Sequence, residues 1–127
     1  MNVELSPSSI APPAANYAHA KLIPAGSRVV YTSGVVPVAP DSTVPEDLRA
    51  QTEVVWSNIA AILAEAAMTL ADIVSITTYV VVGNDLGSVM EVRDRVLAGH
   101  RVASTLVYVP ALARPAWKLE IAVIASR

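Results

Sequence analysis

The sequence predicts an α+β domain, a sheet with two helices on one face, from three observations. Two β-branched runs, 73–82 and 119–125, carry apolar residues at both alternating positions. Two stretches, 46–68 and 86–97, repeat apolar residues at helical spacing. Strand and helix signals interleave in the order β-β-α-β-α-β-β. With 127 residues, 54% of them hydrophobic, one core accounts for the whole chain, so residues 1–127 are expected to form a single domain.

Residues 1–15 hold Pro7, Pro12 and Pro13, which block helix and strand, and are expected to form an N-terminal arm, ordered or loose. Ala20–Ile23 and Arg28–Ser33 flank a Pro24-Ala25-Gly26-Ser27 turn signal and read as a β-hairpin. Pro37, Pro40 and Pro45 mark an irregular connection, with turn and cap oxygens available from Asp41, Ser42 and Thr43. Leu48, Thr52, Val55, Ile59, Ile62, Leu63 and Ala66 then define the clearest helix. Thr69 and Asp72 resemble a capping box, yet the β-branched run behind them predicts a brief turn feeding a strand. A second helix is predicted over Leu86–Leu97, capped by Asn84 or Asp85 and ended near Gly99. Ala103–Val109 and Trp117–Ala125 complete the set as strands.

Strands that are apolar on both sides need cover on both sides, and two helices cover one. The other face is expected to pack on a partner subunit, giving a homo-oligomer with clefts between sheets. A mean hydropathy of +0.49 in so small a chain points the same way.

Nine Lys+Arg against eleven Asp+Glu leave a net charge of −2, with the basic residues scattered, so no nucleic-acid footprint is visible. The absence of cysteine excludes disulfides, thiolate metal sites and thiol chemistry. Neither a signal peptide nor an unbroken apolar span is present, so a cytoplasmic protein without membrane contact is expected. His19 and His100 have no partner at metal-ligand spacing, which predicts no metal site. Neither a Gly-x-Ser-x-Gly elbow nor a glycine-rich phosphate loop occurs. Trp56 and Trp117 read as core or interface anchors.

One residue breaks the pattern of the last strand. Glu120 is the only carboxylate in Leu119-Glu120-Ile121-Ala122-Val123-Ile124-Ala125. Removing a carboxylate from water costs several kcal/mol unless it is paired or hydrogen-bonded, so it marks an ion pair, with Lys118 or an arginine, or else a site.

Four segments together carry a family resemblance: Asn16-Tyr17-Ala18-His19-Ala20, Tyr31-Thr32-Ser33-Gly34-Val35-Val36-Pro37, His100-Arg101-Val102-Ala103-Ser104-Thr105, and Leu119 to Ala125. In order and spacing, over about residues 12–126, the chain resembles the RidA/YjgF family. The resemblance implies a chorismate-mutase-like α+β fold with a mixed sheet, a homotrimer, and a small-molecule cleft at each subunit interface. Studied members hydrolyse enamines and imines derived from amino acids, releasing ammonia and a 2-oxo acid without metal or organic cofactor. Others bind small molecules with no assigned activity, and some carry an older ribonuclease label, which the acidic balance opposes.

On that resemblance Glu120 is the catalytic candidate, orienting a water, and Tyr17, Ser33, Gly34, Ser104, Thr105 and Arg101 are the substrate-binding candidates. Each has a plainer reading: Tyr17 as a packing aromatic, Ser33-Gly34 as a strand end that needs small residues. The chain also departs from the pattern. The arginine that grips a substrate carboxylate in active members falls on Ser104, and the second helix's usual Asn and Tyr fall on Met90 and Arg93. A hydroxyl cannot imitate a guanidinium fork, and truncating one partner of a buried charge pair costs about 2–5 kcal/mol. Ordinary 2-imino acids are therefore not the expected substrates, unless Arg101, Arg28, Arg93 or Arg114 substitutes. The alternative expectation is a non-catalytic trimer that binds a metabolite or a partner in the same clefts.

Overall fold

A computed structural model describes residues 1–127. Its strands and helices are β1 (Val3–Leu5), β2 (Ala20–Leu22), β3 (Val29–Tyr31), α1 (Leu48–Glu65), β4 (Ile73–Val81), α2 (Leu86–Leu97), β5 (Ala103–Val109) and β6 (Leu119–Ser126). The β-branched run from Ile73 forms the longest strand, and β6 lies antiparallel beside it, with Tyr79 opposite Glu120 and Thr77 opposite Ala122. β5 runs parallel to β4, an arrangement that needs the crossover α2 supplies, and β3 pairs antiparallel with β6. The mixed four-stranded sheet has the order β3-β6-β4-β5.

Both helices begin at aspartates. The side chain of Asp47 accepts from Ala50 N at 3.0 Å, and that of Asp85 from Gly87 N at 3.1 Å, satisfying amides that have no carbonyl partner in a first turn. α2 stops where Ala98 (φ 49°) and Gly99 (φ 84°) turn left-handed. The Thr69–Asp72 capping box is present and closes a single 3-10 turn that feeds β4. Packed on one face of the sheet, the helices close Val55, Trp56, Ile59 and Leu63 of α1 and Val89 and Val92 of α2 against Ile76, Val80, Leu119, Ile121 and Val123. Arg49–Glu91 and Arg95–Glu53 ion pairs join the two helices at the surface.

Gln51 is fully buried in this layer and fully used. Its Nε2 donates to the Pro45 carbonyl at 2.7 Å and the Ala116 carbonyl at 2.8 Å, while its Oε1 accepts from Lys118 N at 2.9 Å. The side chain thereby ties α1 to the entry of β6, and its buried polarity costs little because every group is met.

Two expectations need correction. The segments around Pro24–Ser27 do not form a hairpin with each other: β2 pairs with β1, and β3 pairs with β6, in a different sheet. Gly26 (φ 82°) makes the turn, but the two three-residue strands it joins part there, β2 to the equally short β1 and β3 to the eight-residue β6. The N-terminal arm, expected to hold neither helix nor strand, contains one strand, because Val3–Leu5 precedes the first proline and is free to pair. No helix is long and apolar enough to cross a membrane.

Candidate functional site

Because side chains alternate along a strand and opposed residues share a face, the pairing register assigns each site residue to a side of the sheet. Glu120 is opposite Tyr79, and Tyr79 is opposite Val107, so these three cross the helix-free face in one row. Ala122, Thr77 and Thr105 form the next row. Ser104, by contrast, is opposite Ile76, which is fully buried under the helices. Within one protomer Ser104 and Glu120 therefore point to opposite sides, two strands apart, which is about 10 Å at the usual spacing between strands.

Glu120 rests on Gly34. After β3 the chain continues along β6: Thr32 N donates to the Val123 carbonyl at 3.0 Å, and Val35 exchanges both backbone bonds with Ile121 at 2.7 and 3.1 Å. Three steps on this strand match two on β6, and the extra residue is taken up at Ser33-Gly34. A Cβ at residue 34 would run into the Glu120 carboxylate and stand 2.8 Å from its Cγ, so glycine is required for the acid to lie flat there. Glu120 is half-buried, and no cation comes within 4.0 Å of it. The structural ion pair with Lys118 is not formed, since the Lys118 ammonium turns to the Glu46 carbonyl.

Beside Gly34 opens a cavity of about 610 Å³, lined by Tyr31, Ser33, Gly34, Val36, Asn58 and Ile62 among others. Asn58 Nδ2 donates to the Val38 carbonyl at 2.9 Å and pins the loop to α1. Glu120 is not among the cavity's lining residues, and Asn58 and Ile62 bound it from α1 on the helix side. Their four-residue spacing puts them on a single stripe of α1.

The remaining candidates gather at the β5 edge. Ala18 N donates to the Val102 carbonyl at 2.8 Å, which lays the Tyr17 segment along the start of β5. Arg101 donates twice to the Tyr17 carbonyl, at 3.2 and 2.5 Å, and its Nη2 lies 3.3 Å from Glu4 Oε1 as an ion pair without hydrogen-bond alignment. Thus Tyr17, Arg101, Ser104 and Thr105 lie along the start of β5, with Ser104 and Thr105 on opposite sides of that strand, while Ser33, Gly34 and Glu120 lie together on the far side of the sheet. Of the other arginines, Arg28 donates to the Ala66 carbonyl, Arg114 is exposed, and Arg93 is buried on α2 with Asp94 at 3.1 Å. No three His, Asp or Glu side chains cluster as metal ligands.

A mixed sheet with two helices on one side, and a lone acid bedded on a glycine of the other, defines an α+β domain with one covered and one open face. The chain belongs to the family described as Endoribonuclease L-PSP, the RidA/YjgF family, whose model matches residues 8–127. TdcF of Escherichia coli, named as a candidate reactive intermediate deaminase, is 31% identical over 103 residues, covering 78% of this chain and 79% of TdcF. DfrA of Myxococcus xanthus is 33% identical over 122 residues, covering 94% and 88%. Among solved structures, the Rid-family protein YyfB of Yersinia pestis aligns over 98% of this chain and 97% of its own, with a TM-score of 0.83 and 27% identity. The TdcF crystal structure with bound serine aligns over 96% and 93%, with a TM-score of 0.74 and 30% identity.

Proposed function

We propose that this protein is a Rid-type hydrolase that deaminates a small imine, enamine or related C–N compound in clefts between the subunits of a homotrimer. The observation that carries this reading is Glu120, a half-buried carboxylate held on Gly34 with no cation beside it. A carboxylate so placed accepts a proton from a water as that water attacks the C=N carbon, and returns it to nitrogen as the C–N bond breaks and ammonia leaves. The reaction as proposed needs no metal or organic cofactor. That the relative TdcF carries a deaminase name supports the same class.

The two groups of site residues support a shared cleft. Ser104 and Glu120 face opposite ways in one protomer, so only two copies bring them together. One copy contributes Ser33, Gly34 and Glu120; its neighbour contributes Tyr17, Arg101 and one of Ser104 and Thr105. Arg101 is already committed to the Tyr17 carbonyl and Glu4, and Arg28 to a backbone carbonyl. Ser104 and Thr105 point to opposite sides of β5, and whichever of them enters the cleft offers a hydroxyl, which suits a neutral carbonyl, amide or hydroxyl on the substrate in place of a free carboxylate.

The serine at position 104 also favours a second reading, a trimer that binds a metabolite in the same clefts without turning it over. Ammonia release measured on a panel of neutral imines and 2-iminobutanoate separates the two. Turnover of a neutral imine, with 2-iminobutanoate poor, is the result expected. Saturable binding with no turnover of any member of the panel would establish the binding protein instead.

A further inference from the structure

We propose that this protein carries a second ligand site, for a small metabolite with an oxyanionic group, carboxylate or phosphate. It lies where the β1–β2 ribbon crosses the C-terminal end of β6. The site is a cavity of about 390 Å³ lined by Asn2, Lys21, Asp72, His100, Ser126 and Arg127 among others. It is separate from the Glu120 cleft: Ser126 is six residues further along β6, about 20 Å at the strand rise. The proposal does not depend on the activity proposed above.

Three features point to an anion. Ser126 is 1% exposed, and its Oγ has no hydrogen-bond partner within the protein, although its backbone carbonyl accepts from Asn2 Nδ2 at 3.0 Å. A buried hydroxyl left unmet by the protein is uncommon in a native fold and takes its partner from outside the chain, a water or a ligand atom. Lys21 faces Glu4 in the ribbon register, but Glu4 is taken by Arg101, and no carboxylate lies within 4.0 Å of the Lys21 ammonium. Arg127 spends one N–H on the Ala67 carbonyl at 3.3 Å and stands 4.0 Å from Asp72, leaving the rest of its fork free.

The other walls limit the ligand's size and shape. His100 Nε2 is 2.7 Å from the Ile73 carbonyl, so that nitrogen is the donor and Nδ1 is the free one. Asp72 is the one side-chain carboxylate among the lining residues, and its Oδ2 already accepts from Thr69 N at 2.8 Å. Among the side chains, two cations and an unspent hydroxyl thus face one acid whose charge is partly engaged. The volume exceeds that of a bare oxyanion, which is why a metabolite carrying such a group fits better than a simple ion.

Amide NMR of the assembled protein, titrated with inorganic phosphate and separately with succinate, tests the site against sodium chloride at matched ionic strength. At least one of the two is expected to give saturable shifts centred on Asp72, His100, Ser126 and Arg127. Lys21→Met should weaken that binding about tenfold or more, as loss of one charge-assisted contact requires, and Ser126→Ala by a smaller factor. Ammonia release, where present, should be unchanged in Lys21→Met. Shifts no larger than those from chloride, or an affinity unaltered by Lys21→Met, would overturn the proposal. An unchanged spectrum outside the ribbon shows that the variant is folded.

Discussion

Along β4 and β6, alternate residues meet different surroundings. On the helix side Ile76, Val80, Leu119 and Ile121 are closed to solvent, and every polar group that enters this layer by way of Gln51 is hydrogen-bonded. On the other side Ser75, Thr77, Tyr79, Glu120 and Ala122 remain half open, and Val29, Tyr31 and Val107 are exposed. The same two strands therefore do two jobs: one face supplies the stability of the protomer, and the other holds an acid and apolar area that the protomer alone does not cover. A substitution's consequence should follow its face.

The helix side gives the larger stability effects. Ile76→Ala removes a fully buried side chain between the sheet and both helices and should cost about 2–5 kcal/mol in urea unfolding. Thr77→Ala, next to it but facing the other way, should cost much less, and equal losses would break the comparison. Gln51→Leu strands the Lys118 amide and two carbonyls, and should cost on the order of 1–3 kcal/mol, read in the same unfolding experiment.

The open side gives effects on activity. Gly34→Ala puts a methyl group where the Glu120 carboxylate lies, and the flexible acid moves more cheaply than the backbone does. Ammonia release should fall roughly 10- to 100-fold with little change in stability, since a misplacement of about 1 Å is enough for such a loss. The smallest effect belongs to the loop after β3. The Thr43 hydroxyl and amide, at 2.6 and 3.1 Å, hold Asp41 below its usual value of 3.8. A depressed carboxylate contributes stability above its unfolded pKa, and that contribution is lost as pH falls through the folded value. Thr43→Val should move the Asp41 titration upward toward 3.8 by NMR, leaving stability near neutral pH almost unchanged.

The elements that could be read from the sequence are those whose signal is local. Leu86–Leu97 was predicted to the residue because Asp85 and Gly99 punctuate it, and the run from Ile73 declares a strand by its β-branching. The failures are choices of partner. Nothing in Arg28–Ser33 states that it pairs with β6, nearly a hundred residues away, instead of with its neighbour across a good turn. Gln51 looks like one polar position on a helix, and only the folded chain reveals three backbone groups waiting for it. At the site, Glu120 stood out by isolation within an apolar run, and Gly34 by resemblance. The division of the binding candidates between two faces follows from the β4–β5 register, which no single segment encodes.

Glu120→Gln keeps the size and hydrogen-bonding reach of the side chain on Gly34 and removes only its basicity. Ammonia release from the best neutral imine should drop by about 10²- to 10⁴-fold, the usual contribution of a positioned proton acceptor, with the urea midpoint unchanged. Equal rates in the two proteins would show that the acid on the open face is not the group that does the chemistry.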